Sequence, residues 1–171
     1  MNAAVPVIGV VAPSGSGKTT LLRQLVAVLR QRGLRIGYLK HAHHSFDLDV
    51  PGKDSFELRA AGAAQTLLAS RERWALLVEE PAAVDPDLNA MLARFETAQL
   101  DLILVEGFKH ARYPKIEVYR AATGQPVLYP TDPDIIAVAS AEPLPVVPHP
   151  PHLPLQDVPA IAAFILRQVA H

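Results

Sequence analysis

Apolar residues along this chain follow two rhythms. Residues 5–11 form an apolar run rich in β-branched side chains, which reads as a strand buried on both faces of a parallel sheet. The rhythm then changes: Leu21, Leu22, Leu25, Val26, Val28 and Leu29 recur at helical spacing, and Gly33 supplies a stop. Residues 34–40 predict a second strand, and the polar stretch 41–53 predicts a loop. Asp54 then caps a helix running to Gly62, with Glu57 completing a capping box. Two short strands follow at 64–69 and 74–78, a helix at 87–96 and another buried-type strand at 100–105. Alternation of this kind predicts a mostly parallel sheet with helices on both faces.

The second half changes character. Residues 116–119 and 126–129, joined through Ala121-Ala122-Thr123-Gly124, predict a β-hairpin, and 135–139 returns to buried-strand character. Residues 142–155 hold six of the sixteen prolines, which predicts an extended crossing segment rather than a helix or a central strand. Residues 158–169 read as an amphipathic helix. Neither a repeat nor a long linker divides the pattern, so a single domain over 1–171 is expected, with 141–155 its Pro-rich extended segment.

Between the first strand and the first helix lies Ala12-Pro13-Ser14-Gly15-Ser16-Gly17-Lys18-Thr19. Strand, Gly-rich loop and helix in this order make a P-loop, with Ala12 where the usual pattern has its first glycine. Each residue type has a physical reason. A polyphosphate carries several negative charges, and a loop that turns consecutive N–H groups inward meets them without one side chain per oxygen. Gly15 and Gly17 allow that path, Lys18 brings a point charge, Thr19 offers a hydroxyl to Mg²⁺, and the following helix aims its positive end at the same oxygens. The predicted fold is therefore a P-loop NTPase, an α/β structure of three layers with a mostly parallel sheet and an inserted β-hairpin.

Ligands of such sheets bind beyond the carboxyl ends of the strands, which filters the remaining polar residues. Strand ends fall at Lys40 and His41, at Glu79 and Glu80, at Glu106 and Gly107, and at Ser140. Glu106 closes a buried strand and is the candidate to hold Mg²⁺ or its water shell. Gly107 lets a backbone N–H approach a phosphate, and Lys109 adds charge beside it. Asp101 stands at the opposite end of that strand and is structural. His41, His43 and His44, with Asp47 and Asp49 nearby, have spacing too irregular for a closed zinc site. Asp49 and Asp54 are candidates to orient an attacking water or contact Mg²⁺ water ligands, unless Asp49 is only a turn residue before Pro51-Gly52 and Asp54 only a helix cap. Arg71 and Arg73 read as surface charges, and Trp74 as core packing.

Composition narrows the partners. Lys plus Arg is 16 against 17 for Asp plus Glu, so the chain lacks the basic field of a nucleic-acid binder. It has no cysteine, which removes disulfides, thiolate metal sites and thiol catalysis and fits a reducing cytoplasm. No apolar stretch reaches membrane-spanning length, and the first apolar run lacks a basic leader, so it is expected to belong to the fold and not to a signal peptide.

Several segments together resemble the molybdopterin-guanine dinucleotide biosynthesis adaptor (MobB) family. They are Ser14-Gly15-Ser16-Gly17-Lys18-Thr19-Thr20, Leu39-Lys40-His41-Ala42-His43-His44, Pro51-Gly52-Lys53-Asp54-Ser55, Leu58-Arg59-Ala60-Ala61-Gly62-Ala63 and Leu104-Val105-Glu106-Gly107-Phe108-Lys109. The resemblance runs over about residues 5–140 and is thinnest in the Pro-rich tail. It implies a dimeric, cytoplasmic GTP-binding protein with weak Mg²⁺-dependent hydrolysis. Its implied partner is the guanylyltransferase that joins GMP to molybdopterin, with molybdopterin itself as a further candidate ligand. On this resemblance Ser14 to Thr20 carry the phosphates and Thr19 the magnesium, while residues 40–44 and 52–55 face the nucleotide or the partner. Lys18, Glu106 and Asp54 are the candidates for catalysis, Gly107 joins the phosphate contacts, and the hairpin near 115–129 is the implied dimerisation element. Two departures stand out: Pro13 occupies the early loop position where the wider class carries an extra lysine, and no N-K-x-D string is present to read guanine.

Two other classes compete. A small-molecule kinase would use the same loop but needs an arginine-bearing lid to exclude water, for which Arg71 and Arg73 are the candidates. A GTP-dependent metal-delivery protein would use the histidine loop, a reading weakened by the lack of cysteine.

Overall fold

The computed structural model describes residues 4–42, 46–80, 82, 84–147 and 150–169. In chain order the elements are β1 (Val7–Val11), α1 (Lys18–Gln31), β2 (Ile36–Lys40), α2 (Asp54–Ala60), β3 (Gln65–Ala69), β4 (Trp74–Val78), α3 (Leu88–Leu92), β5 (Leu102–Glu106), β6 (Lys115–Tyr119), β7 (Ile135–Ser140), β8 (His152–Pro154) and α4 (Val158–Val169). They fall into two compact units, Met1–His41 with Pro86–His171, and Ala42–Asp85.

The first unit is a six-stranded sheet in the order β2-β5-β1-β6-β7-β8, with every pairing parallel. Alternation along the central strands feeds two cores. Ile8 and Val10 of β1 and Leu102 and Leu104 of β5 point toward Leu21, Leu25 and Leu29 of α1 and Ile161 and Ile165 of α4. Val7, Ile103 and Val105 point the other way, toward Leu88 and Leu92 of α3 with Phe108 and Tyr113. The expected three layers are thus present. β8 lies at the sheet edge, the one place where a strand ending in Pro154 sacrifices no interior hydrogen bond.

The second unit contains α2 and the antiparallel pair β3–β4. This is the hairpin of the fold, and its place corrects the expectation. Residues 116–119 belong to β6, which runs parallel between β1 and β7, and 126–129 form no strand. The cause is Glu117, whose carboxylate accepts the N–H groups of Leu128 at 2.8 Å and Tyr129 at 3.0 Å. Those amides are satisfied by a side chain and need no partner strand.

Four further expectations change. Glu79 and Glu80 follow β4 and so do not end a strand of the parallel sheet. Lys53, not Asp54, occupies the N-cap of α2 with no side-chain capping bond, and Asp54 is the first helical residue, where its charge complements the helix dipole. Trp74 is 60% exposed, on the same face of the β3–β4 pair as the exposed Leu76 and Val78. Helix α3 is also shorter than expected, with Asp87 capping it by accepting the Ala90 N–H at 2.8 Å. Among the described residues no helix is long and apolar enough to cross a membrane.

Candidate functional site

Strand β1 ends beside β5, and the loop from Ala12 to Gly17 rises from that edge into α1. Ser16 is buried and its hydroxyl donates to the Pro13 carbonyl at 2.6 Å, which ties the loop to itself. Gly17 sits at the N-cap of α1 with a φ of 86°, a left-handed conformation open to glycine. Ser14, Gly15, Thr19 and Thr20 are exposed at the same edge.

Lys18 is the first residue of α1, and its ammonium turns back across the loop. Nζ donates to the Ala12 carbonyl at 3.3 Å and stands 3.6 Å from Glu106 Oε1. Glu106 ends β5 and is buried. Its second oxygen, Oε2, accepts the hydroxyl of Tyr38 from β2. Burial, with the Glu106 carboxylate beside it, pushes the Tyr38 phenol well above its usual range, so it stays a donor. One carboxylate thus spans an ammonium and a phenol at the loop's mouth. Sequence reasoning placed Lys18 and Glu106 there but missed Tyr38; two residues before the end of a strand next to β5, it was within reach of the same strand-end rule.

The turn after β5 is held from both sides. The His41 N–H donates to the Glu106 carbonyl at 2.8 Å, and the His41 ring stacks on Phe108 with centroids 4.7 Å apart. Tyr113 donates its hydroxyl to the Gly107 carbonyl at 2.7 Å. Gly107 has a φ of 91°, and a Cβ there would come within 2.8 Å of the His41 Cβ. The close approach therefore requires glycine. Asp101, at the other end of β5, pairs with Arg35 at 2.8 Å, as its structural reading expects. Arg35 holds the Asp101 carboxyl down to about 2.

Other predicted residues lie in the second unit. Arg59, from the Leu58–Ala63 segment, donates to Asp47 at 2.6 Å and to Glu79 at 3.2 Å, with its guanidinium over the Phe56 ring. These residues line an open cleft of about 520 Å³ with Gly62 and Glu80. Asp49 accepts the Val50 N–H at 2.9 Å within a turn, as its turn reading requires. Arg71 and Arg73 lie at the β3–β4 connection, exposed. His43 and His44 lie outside the described residues, and among the described residues no cluster of metal-binding side chains forms.

Residues 7–141 match the family described as molybdopterin guanine dinucleotide synthesis protein B. A molybdopterin-guanine dinucleotide biosynthesis adapter protein from Escherichia coli K12 is 47% identical over 164 residues, covering 95% of this chain and 93% of that one. The protein of the same description from Haemophilus influenzae is 40% identical, covering 100% of this chain and 93% of its own. Among solved structures, a MobB protein homolog from Bacillus stearothermophilus superposes with a TM-score of 0.68 at 28% identity, covering 95% of this chain and 97% of that one. The parallel sheet, the loop at its edge and the extent of these matches lead to one conclusion: the chain belongs to the MobB family.

Proposed function

We propose that this chain is a GTP-binding adapter protein of molybdopterin-guanine dinucleotide biosynthesis, acting in the cytoplasm beside the guanylyltransferase that joins GMP to molybdopterin. The observation that carries the nucleotide part is the Lys18 ammonium, poised between the first carbonyl of a Gly-rich loop and the strand-end carboxylate of Glu106. A triphosphate exchanges those partners for stronger ones, because charge-assisted hydrogen bonds to phosphate exceed a bond to a neutral carbonyl. Backbone N–H groups of Ser14 to Thr20 cradle the phosphates, with Gly107 approaching from β5.

The donors present suit Mg²⁺. The Thr19 hydroxyl and the Glu106 carboxylate are hard oxygens, the type this ion takes. Both Glu106 oxygens already meet a side chain, Lys18 on one and Tyr38 on the other, so the carboxylate suits a hydrated ion held through water. Bound magnesium would neutralise phosphate charge. Lys18 would orient the phosphates, and Tyr38 would hold the Glu106 carboxylate in place. Weak Mg²⁺-dependent hydrolysis enters this reading as the family resemblance implies. Asp54 belongs to the second unit and enters this reading only as the family resemblance implies.

A second copy of the chain is the proposed occupant of the hairpin's exposed face. Leu67, Trp74, Leu76 and Val78 lie on one side of β3–β4 and are all exposed. A lone two-stranded sheet is marginal in water, and an apolar face that meets its own copy buries itself by two-fold symmetry. The implied dimerisation element thus moves from 115–129 to 65–78.

Calorimetry of GTP and ATP binding with Mg²⁺, with and without the guanylyltransferase, tests the whole reading. One GTP site per chain, weaker ATP binding and a heat of association with the transferase are expected; equal affinity for the two nucleotides would remove the guanine assignment.

A further inference from the structure

The flank of the loop away from Glu106 carries a cation that the sequence reading did not single out. In the sheet, β5 lies on one side of β1 and β6 on the other, so Glu106 and the residue that follows β6 bracket the loop. That residue is Arg120. A Cβ built on Gly17 would stand 3.2 Å from Arg120 Nη2 and 3.5 Å from its Cζ. The guanidinium therefore lies against the backbone at the point where the loop becomes α1.

Electrostatically this is the wrong place for a cation. The start of a helix carries unsatisfied N–H groups and the positive end of the dipole, which favour anions. Lys18 adds an ammonium at the same turn. Arg120 forms no ion pair with any described carboxylate, and its side chain is exposed. Two cations and a helix N-terminus converge on one loop, with one carboxylate on the far flank. Such an excess is relieved when an anion joins them.

We propose that Arg120 is a phosphate ligand of the nucleotide site, gripping the polyphosphate from the β6 side while Lys18 and Glu106 act from the β5 side. The proposal rests on the nucleotide reading above and adds to it a residue that would bind in the fork geometry of a guanidinium. Gly17 then has two reasons to be glycine: its left-handed backbone and the room it leaves for Arg120.

The test is a titration of the full chain with Mg²⁺ and GTP, run beside thermal melts without nucleotide. Losing a charge-assisted contact should weaken GTP binding by about ten- to hundred-fold in Arg120→Ala. Arg120→Lys should lose less and Arg120→Glu more. Without nucleotide, Arg120→Ala should melt no lower than the native chain, because an unpaired cation leaves a helix N-terminus. Native GTP affinity in Arg120→Ala overturns the proposal, and so does a lowered melting temperature with unchanged binding. If native GTP affinity is undetectable and Lys18→Ala is indistinguishable from the native chain, the nucleotide reading itself fails, an outcome distinct from the failure of Arg120 alone.

Discussion

The two units of this chain spend their apolar residues in opposite ways. In the first, every residue of β1 and β5 is buried, and the strands alternate between two cores. In the second, no residue of α2, β3 or β4 is buried, and Leu67, Trp74, Leu76 and Val78 stand in the open. The first unit closes its own core and sets the loop and the Glu106 carboxylate on packed strands. The second leaves an apolar face in the open, the face proposed above to meet a second copy of the chain.

The sharpest way to break the contrast is to cut into both. Leu104→Ala removes a fully buried side chain under the loop and should cost about 2–5 kcal/mol by chemical denaturation. Trp74→Ser with Leu67→Ser should shift the unfolding free energy of the monomer by no more than about 0.5 kcal/mol. The same pair should abolish dimerisation in sedimentation. A dimer that survives both substitutions would move the interface elsewhere.

A smaller effect separates the ends of β5. Asp101 is depressed to about 2 by Arg35, so its contribution is present at neutral pH and is lost as pH falls through that value. Asp101→Asn should lower the melting temperature slightly at pH 7, with the difference gone below about pH 2. Nucleotide affinity should not change, because Asp101 lies at the end of the strand away from the loop.

The first unit was largely legible in the sequence because its signals are local. Buried strands read as apolar runs, and the loop is specified by glycines, a lysine and a threonine in one stretch. The misplaced hairpin shows where local reading ends. Residues 126–129 carry apolar and turn residues of the right kind, yet a carboxylate eleven residues away takes the Leu128 amide and folds the stretch as a loop. The same misplacement hides Arg120, which stands beside the loop only once β6 is known to run parallel to β1. Trp74 failed for a different reason. Its apolar bulk predicts burial, but nothing in the sequence says which layer would cover it.

The central claim is that the loop from Ala12 to Thr20 is a phosphate site whose charge comes from Lys18. Isothermal titration of the native chain and of Lys18→Ala with Mg²⁺ and GTP tests it most directly, with circular dichroism to show that both are folded. The account predicts one binding event per native chain and none in the variant, whose fold is intact because Lys18 touches no core. Equal GTP binding in the two proteins would contradict it.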